Sequence, residues 1–234
     1  MDLSQALTTT GAVRDFSSAP VPDETLYRIL ETARFAPSGG NRQAWRVIVV
    51  KDRETRSRLR DLYLVGWYEY LAARAAGLTP WAPVTDREKE AEAMARSDEM
   101  KPPPGSPGGM AENLDTVPVL LALLADLRGL AAVDRDAPRY TMVGGASIYP
   151  FAWSILLAAH DAGLGGVITT MLVRQEAEVM DLLGVPDGWA LAGVLTLGYP
   201  AGPRPTRLRR TPPEHFATFD RFDGPALPRP TVVL

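Results

Sequence analysis

The chain has 234 residues, 46% of them hydrophobic and 23% charged, and a formal net charge of −3, which is ordinary for a globular protein. The absence of cysteine excludes disulfides, thiolate metal sites and cysteine nucleophiles, and with two histidines a three-histidine metal site is impossible. An enzyme with so few reactive side chains would depend on a bound cofactor, and we expect no metal.

The acidic balance lacks the basic signature of nucleic-acid binding, so no nucleic-acid partner is expected. No apolar run reaches the ~20 residues needed to span a bilayer, and the first ten residues lack a signal-peptide pattern. These features predict a cytoplasmic protein without a membrane partner.

The elements predicted in the first part of the chain are helices over about 2–7 and 24–35, a buried strand over 46–50 and a helix over 54–63. Asp23 precedes the second helix and is placed to cap it. One face of this helix is apolar, through Leu26, Ile29, Leu30 and Ala33.

Residues from about 65 to 115 differ in composition, because two helical patterns (about 68–76 and 86–96) alternate with proline and glycine. Such a segment is either a solvated surface excursion or a lid over a site. Its aromatic residues form either a surface cluster or a wall over a flat ligand; they are Trp67, Tyr68, Tyr70 and Trp81.

The later elements are a central strand over 117–127, an apolar helix over 145–164, a helix over 174–183 ended by Gly184, and a strand over 189–197. The apolar helix favours a subunit interface. The glycine-rich segment 162–170 follows a helix instead of preceding one, which excludes a Rossmann fingerprint and predicts a loop. The pattern indicates an α/β or α+β domain with one sheet, followed by an extended tail.

Several segments carry binding chemistry. Asn41 and Gln43 can read a ring edge with C=O and N–H groups, as in a flavin or pteridine, although a decorated helix-to-strand turn is the alternative. Thr169 and Thr170 could do the same. Arg14 beside Asp15 could be a mere surface pair, and the four arginines in 204–210 form either a phosphate-sized patch or a solvated tail. His160 is expected to be a satisfied core histidine and His215 to lie on the surface.

Taken in order, these segments resemble the FMN-dependent nitroreductase family. The resemblance rests on VRDF at 13–16, PSGGNRQAW at 37–45 before a Val/Ile strand, AGLG at 162–165, and LGYP at 197–200 before an arginine-rich tail. It implies one domain over 1–234 with an α+β nitroreductase-like fold: a central, mostly antiparallel sheet flanked by helices, a lid-like insertion at about 65–115 and a domain-swapped C-terminal arm from about 200.

The resemblance also implies a homodimer with two FMN sites at the interface, each built from both chains. The residues it assigns to FMN binding are Arg14, Pro37, Ser38, Gly39, Asn41, Gln43, Thr169, Thr170, Arg209 and Arg210, with Arg207 as a further phosphate candidate. Thr169 and Thr170 would face flavin N5 and O4, which makes them the catalytic candidates. The family's usual cation before the Val-Arg pair is missing at 10–12, and Ala44 replaces a proline.

The activity implied is an NAD(P)H oxidoreductase that reduces small electron-poor acceptors, such as nitroaromatics or quinones, by ping-pong hydride transfer. One alternative is a protein of the same fold that sequesters or senses FMN without turnover. Another is a dimeric interaction protein without flavin.

Overall fold

Four strands form one sheet in the part of the chain that the computed structural model describes, residues 1–230. The strands are β1 (Trp45–Val49), β2 (Val119–Asp126), β3 (Gly165–Thr169) and β4 (Trp189–Gly198). Their order across the sheet is β1-β2-β4-β3, and each neighbouring pair is antiparallel. The predicted α+β fold with a central antiparallel sheet is therefore confirmed.

Helices cover both faces of this sheet. They are α1 (Leu3–Thr9), α2 (Asp23–Ala33), α3 (Arg53–Ala75), α4 (Arg87–Met94), α5 (Tyr149–Asp161) and α6 (Glu176–Leu182). One apolar cluster joins α2 and α5 to the sheet, and a second joins α3 and α6 to its other face. No helix within residues 1–230 is both long and apolar enough to cross a membrane.

The central strand β2 is apolar at every position before Asp126 because it is buried on both faces. Leu121 and Leu123 pack with α2 and α5, whereas Leu120 and Leu124 pack with α3 and α6. Alternate residues of a strand point to opposite faces. A strand with two buried faces therefore shows no polar alternation, as the sequence indicated for 117–127.

The predicted loop over 162–170 is wrong, because residues Gly165–Thr169 form the edge strand β3. Its glycines allow a close approach of the N-terminal segment. The Val13 amide donates to the Gly166 carbonyl over 2.9 Å, and a Cβ on Gly165 would lie only 2.7 Å from Val13 Cβ. The segment before Phe16 is thereby held against β3.

Two helix predictions over 54–63 and about 68–76 are corrected to the single helix α3. No proline separates them, and Gly66 continues the helix. A Cβ on Gly66 would lie 3.1 Å from the Met171 carbonyl oxygen, so the glycine lets the turn after β3 approach α3 closely. The aromatic residues at 67–70 are consequently carried by a rigid helix.

Asp23 does not cap α2. The N-cap position is Pro22, without a side-chain hydrogen bond, and Asp23 is the first helical residue. Its carboxylate pairs with Lys51 Nζ at 2.5 Å instead. The fixed φ of Pro22 suits the start of a helix, and Asp23 places its negative charge in the first turn, where the helix dipole favours it.

The predicted apolar helix over 145–164 is shortened to α5, because residues Val143–Ser147 form a 3-10 turn and β3 begins at Gly165. Predicted helices over 86–96 and 174–183 are present as the shorter α4 and α6. Gly184 follows α6 with a φ of 62°, as expected for a helix C-cap. The predicted arm runs to the end of the chain, and its residues 231–234 lie outside the described part.

His160 is a satisfied buried histidine, as predicted. Arg204 donates to its Nδ1 over 3.0 Å, so the neutral ring carries its hydrogen on Nε2 and donates it to Thr9 Oγ1 over 2.8 Å. Burial and then the Arg204 charge lower the pKa of His160. The histidine thus ties α5 to α1 and to the start of the tail in its neutral form.

This lowered pKa predicts a loss of stability in acid. The unfolded histidine binds its proton at a higher pH than the folded one, so the stabilisation is complete above its ordinary value of ~6.5 and is lost as the pH falls through the lowered folded value. Thermal unfolding at pH 7.5 and 5.5 should show a larger drop in Tm for the wild type than for His160→Gln. Equal drops would contradict the prediction.

Candidate functional site

A cavity of about 520 Å³ lies between α3, the end of β3 and the chain before β2. We call it the aromatic cavity. Its lining consists of Arg14, Tyr63, Trp67, Tyr70, Arg74, residues 109–112 and residues 167–171. The volume lies within the usual range for small-molecule sites. Three residues that the sequence singled out, Arg14, Thr169 and Thr170, therefore share one cavity.

One wall of the aromatic cavity is a ladder of rings. Trp67 and Tyr70 are stacked with 5.5 Å between ring centroids, and Trp81 continues the stack at 6.2 Å from Tyr70. Tyr68 turns away from the cavity, is buried, and its hydroxyl approaches Glu112 at 3.5 Å. Of the two interpretations of these aromatic residues, a surface cluster or a wall over a flat ligand, the wall fits Trp67 and Tyr70, which line the cavity.

The floor of the cavity carries two hydroxyl groups, of Tyr63 and Thr169, that are hydrogen-bonded to each other. Tyr63, from the middle of α3, is 1% exposed, and its hydroxyl lies 3.0 Å from Thr169 Oγ1. Burial raises the pKa of Tyr63, against smaller opposing effects of the Thr169 hydrogen bond and the Arg14 charge. The phenol is therefore neutral and acts as a hydrogen-bonding group. Sequence reasoning missed Tyr63, because nothing in the pattern of α3 distinguishes it from a core residue.

The charge in the cavity is predominantly positive. Arg14 and Arg74 form no ion pair within residues 1–230. Glu112 is occupied, since its carboxylate accepts from the Gly109 amide at 2.7 Å as well as from Tyr68. The two guanidinium groups thus remain available to an anionic or carbonyl-rich ligand.

Arg14 also borders a second cleft of about 670 Å³, which it shares with Gly109 and Met110. The loop around these two residues therefore separates the two spaces. Thr196 Oγ1 lies 3.8 Å from Met110 Sδ, which ties the loop to β4. This part of the 65–115 segment forms a wall of the site, consistent with a role near a ligand.

The loop over 37–43 lies elsewhere. It leads into β1, whereas Thr169 ends β3, and these strands are the two edges of the sheet. Three strand spacings amount to about 14 Å. Within one chain, the loop and the aromatic cavity are therefore separate, and Pro37 instead lines a groove between α1, α2 and α5.

The loop is nevertheless strongly shaped. Ser38 Oγ accepts from the Gln43 amide at 3.0 Å, and the Gly39 amide donates to Ser147 Oγ at 3.0 Å. Asn41 and Gln43 have φ values of 53° and 49°, a conformation that non-glycine residues adopt rarely. The Gln43 side-chain amide reaches Asn41 Oδ1 at 3.3 Å. Such strained, exposed amide groups are typical of ligand-binding loops.

The tail arginines lie near the segment that precedes Arg14. The Leu208 amide donates to the Thr8 carbonyl at 2.8 Å, and a Cβ on Gly11 would lie 3.2 Å from Leu208 Cδ2. Arg209 and Arg210 follow directly and are exposed. The position at 10–12 that lacks a cation in sequence is therefore covered by the arginine-rich tail.

The arrangement can bind but offers little chemistry of its own. It combines a flat aromatic wall with hydroxyl and guanidinium donors. Its lining residues include no histidine, lysine or serine, and the one lining carboxylate, Glu112, is held by hydrogen bonds. His160 and His215 line none of the described cavities. The site therefore suits a planar ligand that itself supplies the reactive atoms.

The comparisons with known proteins identify the family of the chain. The model of the nitroreductase family matches residues 8–199. An "NADH dehydrogenase" of Thermus thermophilus is 31% identical over 201 residues, covering 86% of this chain and 88% of that protein. "Iodotyrosine deiodinase 1" of Rattus norvegicus is 31% identical over 195 residues, covering 81% of this chain but only 59% of that protein.

Solved structures share the fold. The NADPH:FMN oxidoreductase from Vibrio harveyi, complexed with NAD+, has a TM-score of 0.62 at 19% identity, over 94% of this chain and 77% of that one. An iodotyrosine deiodinase bound to FMN and 3-iodo-L-tyrosine has a TM-score of 0.62 at 24% identity, over 93% and 100%. With the family model matching most of its length, the chain belongs to the nitroreductase family.

Proposed function

We propose that the protein is a flavin oxidoreductase that holds FMN in the aromatic cavity and uses it to reduce electron-poor acceptors. The observation that carries the proposal is the meeting of Arg14, Thr169 and Thr170 around a cavity with a stacked aromatic wall. The names of related proteins support the same cofactor and reaction class.

The donor set fits FMN. The flavin ring is flat and carries C=O and N–H groups on one edge, which suits stacking on Trp67 or Tyr70 and hydrogen bonds from Thr169 and Thr170. Arg14 would bind a ring carbonyl or the phosphate. Arg209 and Arg210, with Arg207, would supply the phosphate charge that 10–12 lack.

A homodimer would complete the site. The loop over 37–43 cannot reach the aromatic cavity of its own chain across the sheet. We therefore assign this loop, which includes Pro37, Ser38, Gly39, Asn41 and Gln43, to the site of a second copy. Exposed apolar surface supports association: Trp153 on α5 is 40% exposed, and Phe216 and Phe222 of the tail are 69% and 102% exposed.

The groove between α1, α2 and α5 would receive the partner's tail. It measures about 760 Å³ and is lined by apolar residues that include Ile29, Phe35 and Leu157. The tail provides aromatic residues without a cover in their own chain. The exchanged part of the arm would begin after Leu208, because Arg204 and Leu208 are bound to their own chain. The chain would remain a single domain over 1–234, with the arm from about 200 and the wall-forming insertion at about 65–115.

FMN, when bound, would supply the redox chemistry of a ping-pong hydride transfer from NADH or NADPH to an acceptor such as a nitroaromatic or quinone. The chain's residues would bind and orient. The aromatic wall excludes water from one side, and Thr169 and Thr170 hold hydroxyl groups at the ring edge. Location in the cytoplasm stays a prediction.

The test is to purify the protein, load it with FMN and add NADPH and then NADH without oxygen. The expected result is bleaching of the flavin absorbance, followed by its recovery with a nitroaromatic or quinone. FMN that binds but is reduced by neither nicotinamide would favour the sequestering alternative. A protein that ignores FMN would contradict both, and a monomer in sedimentation would contradict the shared site.

Reductive dehalogenation is a second candidate, favoured by the deiodinase relatives. A halophenol ring would stack on the open face of the bound flavin, as a nitroarene would. The C–I bond would break, a C–H bond would form with one proton and two electrons from reduced flavin, and iodide would leave. Iodide release from 3-iodo-L-tyrosine by the reduced holoprotein, compared with nitroarene reduction at equal concentration, decides between the two candidates.

A further inference from the structure

We propose that Tyr63 is a positioning residue that presents the Thr169 hydroxyl to the bound ring as a hydrogen-bond donor. The inference rests on the proposed flavin site, since it assigns a role to the residue behind Thr169. Tyr63 is held by α3, and its hydroxyl contacts Thr169 Oγ1 at 3.0 Å on the floor of the aromatic cavity.

The surroundings of Tyr63 decide which hydroxyl donates. Its ring is buried in the apolar cluster that contains Leu59, Leu114 and Leu172. Within residues 1–230, the contact with Thr169 is the hydrogen bond that the Tyr63 hydroxyl makes. A buried O–H without an acceptor carries a full desolvation penalty. Tyr63 therefore donates to Thr169, because the reverse arrangement leaves the phenolic hydrogen unpaired.

This direction fixes what Thr169 can do. A hydroxyl has one hydrogen and two lone pairs. When Thr169 Oγ1 accepts from Tyr63, its own hydrogen is free to point into the cavity. Thr169 is then presented as a donor, although the side chain alone could donate or accept equally well.

A donor discriminates between the two redox states of a flavin. The central-ring nitrogen at the reactive edge is an acceptor in the oxidised ring and carries a hydrogen in the reduced ring. A Thr169 hydroxyl fixed as a donor pairs with the former better than with the latter. Tyr63 should thereby favour oxidised FMN, without touching the cofactor itself.

Tyr63→Phe removes the constraint while keeping the ring. Thr169 can then rotate and accept from the reduced ring, so the preference for oxidised FMN should fall about tenfold. For a two-electron couple this corresponds to a rise in the midpoint potential of about 30 mV. The potential is measured by equilibration with a reference dye, on holoprotein whose FMN content and Tm are checked.

Thr169→Val and the double variant Tyr63→Phe/Thr169→Val complete a double-mutant cycle. If Tyr63 acts through Thr169, adding Tyr63→Phe to Thr169→Val should not change the potential further. Tyr27→Phe is the control for the loss of a phenolic hydroxyl, because Tyr27 is exposed on α2 and neither lines the cavity nor contacts a residue that the argument uses. Its potential should equal that of the wild type.

Two results would overturn the proposal that Tyr63 positions the Thr169 hydroxyl. The first is a potential unaffected by Tyr63→Phe, and the second is an equal shift in the presence and absence of the Thr169 hydroxyl. Both leave the flavin site itself intact, because FMN is bound in each measurement. A wild-type protein that takes up no FMN would instead contradict both the proposed function and the role of Tyr63.

Discussion

Arg14→Met is expected to weaken FMN binding by about 10- to 100-fold, the loss that corresponds to one or two charge-assisted hydrogen bonds. Arg14 stands where the aromatic cavity meets the second cleft, and it is exposed and without an ion pair in residues 1–230. Its charge is therefore available to the ligand. The dissociation constant is measured by the quenching of FMN fluorescence.

The stability of the apoprotein should not change in this variant, since Arg14 is exposed and forms no ion pair within residues 1–230. Arg58→Met is the matched control, because Arg58 is an exposed arginine on α3 that lines neither space. Arg14→Lys should recover only part of the affinity, since an ammonium group cannot bind in bidentate fashion. Equal dissociation constants for Arg14→Met and Arg58→Met would remove Arg14 from the site.

The sequence predicted the fold class but missed one strand of the sheet, β3. Segments 117–127 and 189–197 are apolar enough to be recognised as β2 and β4. β3 was missed because Gly165 and Gly166 have low strand propensity, and their purpose is visible only in three dimensions, where Val13 packs on them. A local sequence pattern cannot reveal that Gly165 must be a glycine, because the contact that requires it comes from Val13, which is far away along the chain.

The candidate binding residues show the same division. Arg14, Thr169 and Thr170 were singled out by residue type and resemblance, and they line one cavity. Tyr63 was missed because hydroxyl pairing between α3 and β3 depends on packing. The separation of the 37–43 loop from this cavity was also invisible in sequence, since it follows from the strand order.

Gly166→Ala is expected to destabilise the protein by about 3 kcal/mol, at the upper end of the usual cost of overpacking. A Cβ there would lie 2.5 Å from Leu197 Cδ2 and would also clash with the Thr196 carbonyl of the paired strand β4. A carbonyl in a strand ladder cannot move aside as a flexible side chain can. The variant must therefore loosen β3 from β4, which the urea midpoint reports.

The same substitution should impair FMN binding, because the Gly166 carbonyl accepts from the Val13 amide next to Arg14. Loosening β3 displaces Arg14 and Thr169 together, so stability and affinity should fall in parallel. Gly202→Ala is the control: nothing lies within 4 Å of its new Cβ, and its effect should stay within about 0.5 kcal/mol. If Gly166→Ala matched that control in both measurements, β3 would not be the element that docks the N-terminal segment beside the cavity.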